Sequence, residues 1–194
     1  MKPIDLSKLN TALKQLNDQL LWQDSPAIEI VVCGGSALIA TGLVQCTTQD
    51  LDIIALMDSG ELLDSGPLPD YLLEAADKVG KMIHLPTGWL NNGPASQFNM
   101  GLPPGFQQRL STTVIGEKLT VYYIGRIDQI YFKTYASADQ GGYHVSDLKA
   151  LKPTNSELID AAKWCMTQNV SEGFRMTLLD MFNQLGWQDV CDKI

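Results

Sequence analysis

The stretch VVCGGSALIATGLVQCTTQDLDIIAL, Val31 to Leu56, decides how the rest of the chain is read. A β-branched apolar run stops at Gly34, Gly35 and Ser36, a short apolar segment follows, and Asp50 and Asp52 open a second apolar run. The first run, IEIVV from Ile28, and the second, LDIIAL, are short and β-branched, which predicts two strands with a short helix in ALIATGL between them. In a strand, residues i and i+2 project from one face, so Asp50 and Asp52 stand side by side while Leu51 and Ile53 turn to the core. Two carboxylates that close repel each other unless a cation lies between them. Oxygen donors at this spacing suit Mg2+, which takes one or two carboxylates together with substrate phosphates. Glycines allow close backbone approach, and the N–H groups that open a following helix hold a phosphate. The two halves together describe a site for a metal-bound nucleoside triphosphate.

Working outward, Leu6, Leu9, Leu13, Leu16 and Leu20 recur at three and four residues and predict an amphipathic N-terminal helix with Asp5 or Ser7 near its start. A helix is expected from Pro69, with Leu72, Leu73, Ala76 and Val79 on one face and Gly80 stopping it. Residues Leu85 to Pro104 are rich in Gly, Pro and Asn and predict a long loop of the kind that serves function. STTVI and KLTVYYI around a Gly-containing break predict a hairpin. Helices follow at Ile127 to Ala138, Ser156 to Gln168 and Glu172 to Leu185. The division expected is a mixed α+β domain over residues 1–152 and a C-terminal helical segment over 153–194 packed on it.

With 194 residues, 45% of them hydrophobic, the chain has material for one sizeable core. No apolar run approaches the roughly 18 to 20 residues of a membrane span, and MKPIDLSKLN lacks the apolar region of a signal peptide, so a soluble cytoplasmic protein without a membrane partner is expected. Cys33, Cys46, Cys165 and Cys191 are scattered, with only His84 and His144 to join them, which argues against a zinc site or a disulfide frame. A net charge of −8 argues against a broad phosphate-backbone surface and favours a small nucleotide or a nucleic-acid end in a local pocket.

GGS at Gly34 to Ser36 followed by TQDLDI at Thr48 to Ile53 resembles the signature of the nucleotidyltransferase superfamily, and the chain is more narrowly similar to minimal bacterial nucleotidyltransferases related to the AbiEii toxins. GWLNN at Gly88 to Asn92 and DQIYFKTYASADQGGYHVSDLKAL at Asp128 to Leu151 carry the similarity onward, so it spans roughly Ile28 to Leu151. The resemblance implies a polymerase-beta-like fold, a mixed sheet flanked by helices. It also implies transfer of a nucleoside monophosphate from an NTP to a hydroxyl acceptor, which is an RNA end, a protein or a small molecule. An antitoxin-like protein is the partner that such a toxin-like component implies. By the same resemblance Gly34, Gly35 and Ser36 hold the triphosphate, Asp50 and Asp52 ligate Mg2+ (or Mn2+), and Lys133 and Asp147 match the later catalytic motif, Lys133 as a phosphate contact.

Two departures qualify this. Cys46 stands where many relatives carry an arginine, and the strand Lys118 to Ile124 has no third carboxylate, a place that Asp147 would have to fill. These departures keep a second function in play, a module with the nucleotidyltransferase fold that binds a nucleotide or a protein partner without transfer. Plainer readings stand beside the functional ones: GGS as a tight turn, Lys133 as a solvated surface lysine, Ser146 and Asp147 as helix caps, and Trp89 as packing under the long loop.

Overall fold

The computed structural model describes residues 3–44 and 47–194, in two compact units, Met1–Ile124 and Gly125–Ile194. Cys46, the position of the missing arginine, lies outside the described residues.

In the first unit the leucine stripe folds as expected into α1 (Leu6–Trp22), opened by Asp5, whose carboxylate accepts from Lys8 N at 2.8 Å. Leu9, Leu13, Leu16 and Leu20 are fully buried, while Leu6, in the first turn, stays exposed. The chain then forms β1 (Ile28–Cys33), α2 (Gly34–Ala40), β2 (Leu51–Asp58), β3 (Glu61–Asp64), α3 (Asp70–Ile83), β4 (Leu90–Asn91), α4 (Ala95–Met100), β5 (Ser111–Val114) and β6 (Leu119–Tyr123). The sheet is mixed, ordered β3-β2-β1-β6-β5, with β1 antiparallel to β2 and parallel to β6. β4 pairs with β2 at Leu51 and Asp52, and β3 pairs with it from Ala55 to Asp58. β1 reads as a nearly continuous apolar run because it has a neighbour on each edge and is buried along its length. Burial pushes the Tyr123 phenol up to about 12. This is the α+β architecture with a mixed, helix-flanked sheet that the sequence predicted.

Four features correct the expectation. Asp50 precedes β2 and is not part of it, β3 follows β2 through a tight Ser59 and Gly60 turn with both residues at positive φ, and the long loop contains β4 and α4. α3 runs through Gly80 to Ile83 and ends on His84 in the left-handed region, φ 55°. Gly80 has a packing reason instead of a stopping one: a Cβ there would sit 3.1 Å from Trp89 Cδ1. Trp89, only 2% exposed, lies against the helix and donates its indole N–H to Ala76 O at 2.8 Å, which confirms the packing reading of this residue. Gly80→Ala is therefore expected to cost about 1–3 kcal/mol by overpacking, although alanine is the better helix former. Urea unfolding checks this, and a variant as stable as the wild type would show that the indole shifts freely.

The second unit is helical: α5 (Arg126–Asp139), α6 (Tyr143–Ala150), α7 (Asn155–Gln168), α8 (Glu172–Gln184) and α9 (Gln188–Cys191). The 152/153 boundary read from the sequence falls between α6 and α7. α7 starts with a capping box, Thr154 Oγ1 accepting from Glu157 N and Glu157 accepting from Thr154 N. Arg126 forks onto the Glu157 carboxylate at 2.6 Å and onto the Leu151 and Lys152 carbonyls, tying α5 to the start of α7. That guanidinium holds the Glu157 carboxyl below its usual range. Trp164 of α7 packs edge-to-face with Tyr131 and Phe132 at centroid distances of 5.6 and 5.5 Å.

Candidate functional site

The glycine turn and the aspartates meet through strand pairing. Along the antiparallel β1/β2 ladder Val31 faces Ala55 but Val32 faces Ile53, so one extra residue is inserted on β2. The bulge moves the pairing by one position and sets Asp52, not Ile53, opposite Cys33, the residue before the glycines. Gly34 takes φ +68°, and a Cβ on it would lie 2.7 Å from Asp52 Oδ2. A Cβ on Gly35 would lie 2.7 Å from Thr48 Oγ1. Both glycines are thus demanded by close approach, Gly34 also by its backbone conformation.

Thr48 joins the two halves from the other side. Its hydroxyl lies 3.2 Å from Asp50 O and 3.4 Å from Asp50 Oδ1, and its backbone N and O pair with Ile4 at 2.9 and 2.7 Å. Ile4 is fully buried, so the segment before α1 anchors the head of β2. Asp50 and Asp52 are both half-buried, reachable yet held. Ser36 is fully buried, and its hydroxyl donates to Cys33 O at 3.3 Å, bracing the turn from within.

The Asp52 carboxylate, beside a cradle that a Cβ would fill, and the Asp50 carboxylate just before β2 are hard-oxygen donors, of the chemistry that would suit a Mg2+ ion completing its shell with phosphate oxygens and water. Among the described residues no group of three or more His, Cys, Asp or Glu side chains gathers as a protein-only metal cage. β6, read from the sequence as the strand lacking a third acid, pairs with β1. On the edge of β2 away from β1, the strand at Asp52 is β4, which sets Asn91 opposite Asp52; the two residues of β4 gave no periodicity from which the sequence could reveal this.

Lys133 and Asp147 are brought together inside the second unit. Lys133 Nζ lies 2.6 Å from Asp147 Oδ2, with side chains only 6% and 18% exposed, and the ammonium sits 5.5 Å from the centre of the Tyr143 ring. Lys133 is therefore not a solvated surface lysine. Asp147 lies inside α6, which begins at Tyr143, so it caps nothing. Burial, and then the Lys133 charge, hold the neighbouring His144 imidazole below its ordinary range, with Asp147 opposing.

Among the described residues no helix is long and apolar enough to cross a membrane. No curated protein and no solved structure matches the chain significantly. A family model described as a nucleotidyltransferase of unknown function, DUF6036, matches residues 7–189, which takes in both units, the glycine turn, the two aspartates and the Lys133–Asp147 pair. With nearly its whole length matched, the chain belongs to this family of nucleotidyltransferases of unknown function.

Proposed function

We propose that the protein moves a nucleoside monophosphate from an NTP to a hydroxyl acceptor and releases pyrophosphate. The observation that supports this is the close approach of Gly34 to the Asp52 carboxylate and of Gly35 to Thr48, whose hydroxyl lies against Asp50. In this function Asp50 and Asp52 hold Mg2+ (or Mn2+), while Gly34 and Gly35 let the backbone approach the triphosphate and Ser36 fixes the turn through Cys33. When bound, the ion neutralises phosphate charge and lowers the pKa of the attacking hydroxyl. The acceptor oxygen bonds to the α-phosphorus, the bond from that phosphorus to the bridging oxygen breaks, pyrophosphate departs and the hydroxyl proton is released.

The resemblance to AbiEii-related enzymes extends the proposal to a toxin-like component with an antitoxin-like partner, acting on an RNA end, a protein or a small molecule. It also assigns Lys133 and Asp147 to the reaction. Their ion pair, in which each charge offsets the other, favours a second function, a module that binds a nucleotide or a protein partner without transfer.

Thermal melts with each of the four NTPs, with and without Mg2+, test the nucleotide site. A ligand at about 100 times its dissociation constant adds roughly 2.7 kcal/mol to the native state, so a clear rise in Tm is expected only when metal and the preferred NTP are both present. Asp50→Asn/Asp52→Asn is expected to lose that rise. Equal Tm values under all conditions would overturn the nucleotide site. Incubation with α-labelled NTP and RNA, protein or small hydroxyl acceptors then separates transfer from binding alone.

A further inference from the structure

We propose that Asn91 is a substrate-binding residue whose side-chain amide donates to a phosphate oxygen of the triphosphate held beside Asp52. The inference rests on the nucleotide site proposed above, and three observations carry it.

The first is register. β4 is two residues long and runs parallel to the head of β2, Leu90 opposite Leu51 and Asn91 opposite Asp52. Residues opposite each other share a face, and successive residues alternate faces. Leu90, 3% exposed, and Leu51, fully buried, take the core face. Asn91 and Asp52, both half-buried, take the other. Strands lie about 4.8 Å apart, so an oxygen bound at Asp52 is within reach of the Asn91 amide.

The second is how the amide is fixed. Asn91 Oδ1 accepts from Gly93 N at 2.8 Å. A Cβ on Gly93 would lie 3.0 Å from Asn91 Oδ1, so the glycine leaves room for the bond. This turn orients the amide plane but uses only its oxygen; an aspartate would serve the turn equally well. Asparagine differs from aspartate in carrying two N–H donors and no charge.

The third is the local charge. From Val31 to Asp58 the sequence contains no Lys or Arg, in a chain of net charge −8. A triphosphate at this turn is met by backbone N–H groups and carboxylates from that stretch, so neutral side-chain donors gain weight. A third carboxylate at position 91 would repel the phosphates, whereas an amide attracts them.

Asn91→Asp separates the turn from the donor, because a carboxylate still accepts from Gly93 N but cannot donate. Binding of ATP, GTP, CTP and UTP, each with Mg2+, is measured by calorimetry on wild type and variant, alongside urea unfolding without ligand. The expected result is an unfolding midpoint near that of the wild type and affinity for the preferred NTP weaker by at least about tenfold to a hundredfold, the loss of a hydrogen bond to a charged group with the repulsion of the new carboxylate added to it. Asn91→Ser, which keeps an acceptor and one donor, is expected to bind with intermediate affinity and serves should the aspartate variant unfold. Wild-type affinity in a folded variant would overturn the inference and leave the nucleotide site standing. No NTP binding by the wild type would overturn the proposed function and this inference with it.

Discussion

Asp147→Ala is expected to lower the unfolding free energy of the protein by about 3 kcal/mol, well beyond the roughly 1 kcal/mol of a lost helix cap. The reason is the state of its partner. The Lys133 side chain is 6% exposed, and its ammonium has the Asp147 carboxylate at 2.6 Å; without that carboxylate a buried cation remains. The face of Tyr143 at 5.5 Å offsets part of this, since such a contact contributes about 0.5–1 kcal/mol at exposed sites. Lys133→Met is expected to destabilise similarly by leaving the Asp147 charge alone. The double variant Lys133→Met/Asp147→Leu is expected to recover most of the loss, because apolar replacement of a whole buried pair is often neutral. Urea denaturation of these proteins, together with the single Asp147→Leu variant, closes the cycle. A single Asp147→Ala loss below about 1 kcal/mol would mean that water reaches the ammonium and that the pair contributes as a surface pair does.

Gly34→Ala is expected to damage both stability and ligand response. At φ +68° an alanine pays about 1–2 kcal/mol for the left-handed conformation. Its Cβ would then lie 2.7 Å from Asp52 Oδ2, and since that atom ends a side chain, the carboxylate rotates away before the backbone yields. The variant should therefore fold, melt lower and lose the Mg2+-dependent stabilisation by NTP. Gly35→Ala differs, because its Cβ would meet both Oγ1 and Cβ of Thr48, at 2.7 and 3.1 Å, and Thr48 is pinned by Ile4. There the expected loss is mainly of stability, about 1–3 kcal/mol from overpacking. A Gly34→Ala protein with an undiminished NTP response would show that the Asp52 position seen here is not the binding one.

The parts of this fold written in local periodicity are legible in the sequence itself. The leucine stripe of α1, the apolar β1 and β2, the β5/β6 hairpin and the helices α5, α7 and α8 all lie where spacing and turn residues placed them, within a few residues at the ends. What escaped is set by partners distant in sequence. Leu90 and Asn91 are a strand only because β2 offers them hydrogen bonds. Glu61 to Asp64 contains no β-branched residue and pairs because a tight turn folds it back on β2. α6 starts at Tyr143, directly after Gly141 and Gly142 at positive φ and three residues before the Ser146 that the sequence offered as a helix cap. The candidate site divides in the same way. Gly34, Gly35, Asp50 and Asp52 announce themselves by residue type and spacing, while the β2 bulge that sets Asp52 opposite Cys33 leaves no trace in the sequence. The burial of Lys133 is equally silent, since helical spacing says which residues of α5 share a face and nothing of what covers that face.

The place of β1 in the sheet has a kinetic consequence. Its antiparallel partner β2 follows within the next thirty or so residues, but its parallel partner β6 arrives much later: Tyr122 Oη donates to Glu29 Oε2 across 93 residues of chain. Closing a loop of that length precedes the reward of pairing, which raises contact order and slows the search. During synthesis the apolar Ile30, Val31 and Val32 stand with one edge open until Tyr123 has left the ribosome, the interval in which such a strand recruits a neighbour's edge. Chain ends cut short of β6 inherit that open edge permanently, and aggregation is their natural fate.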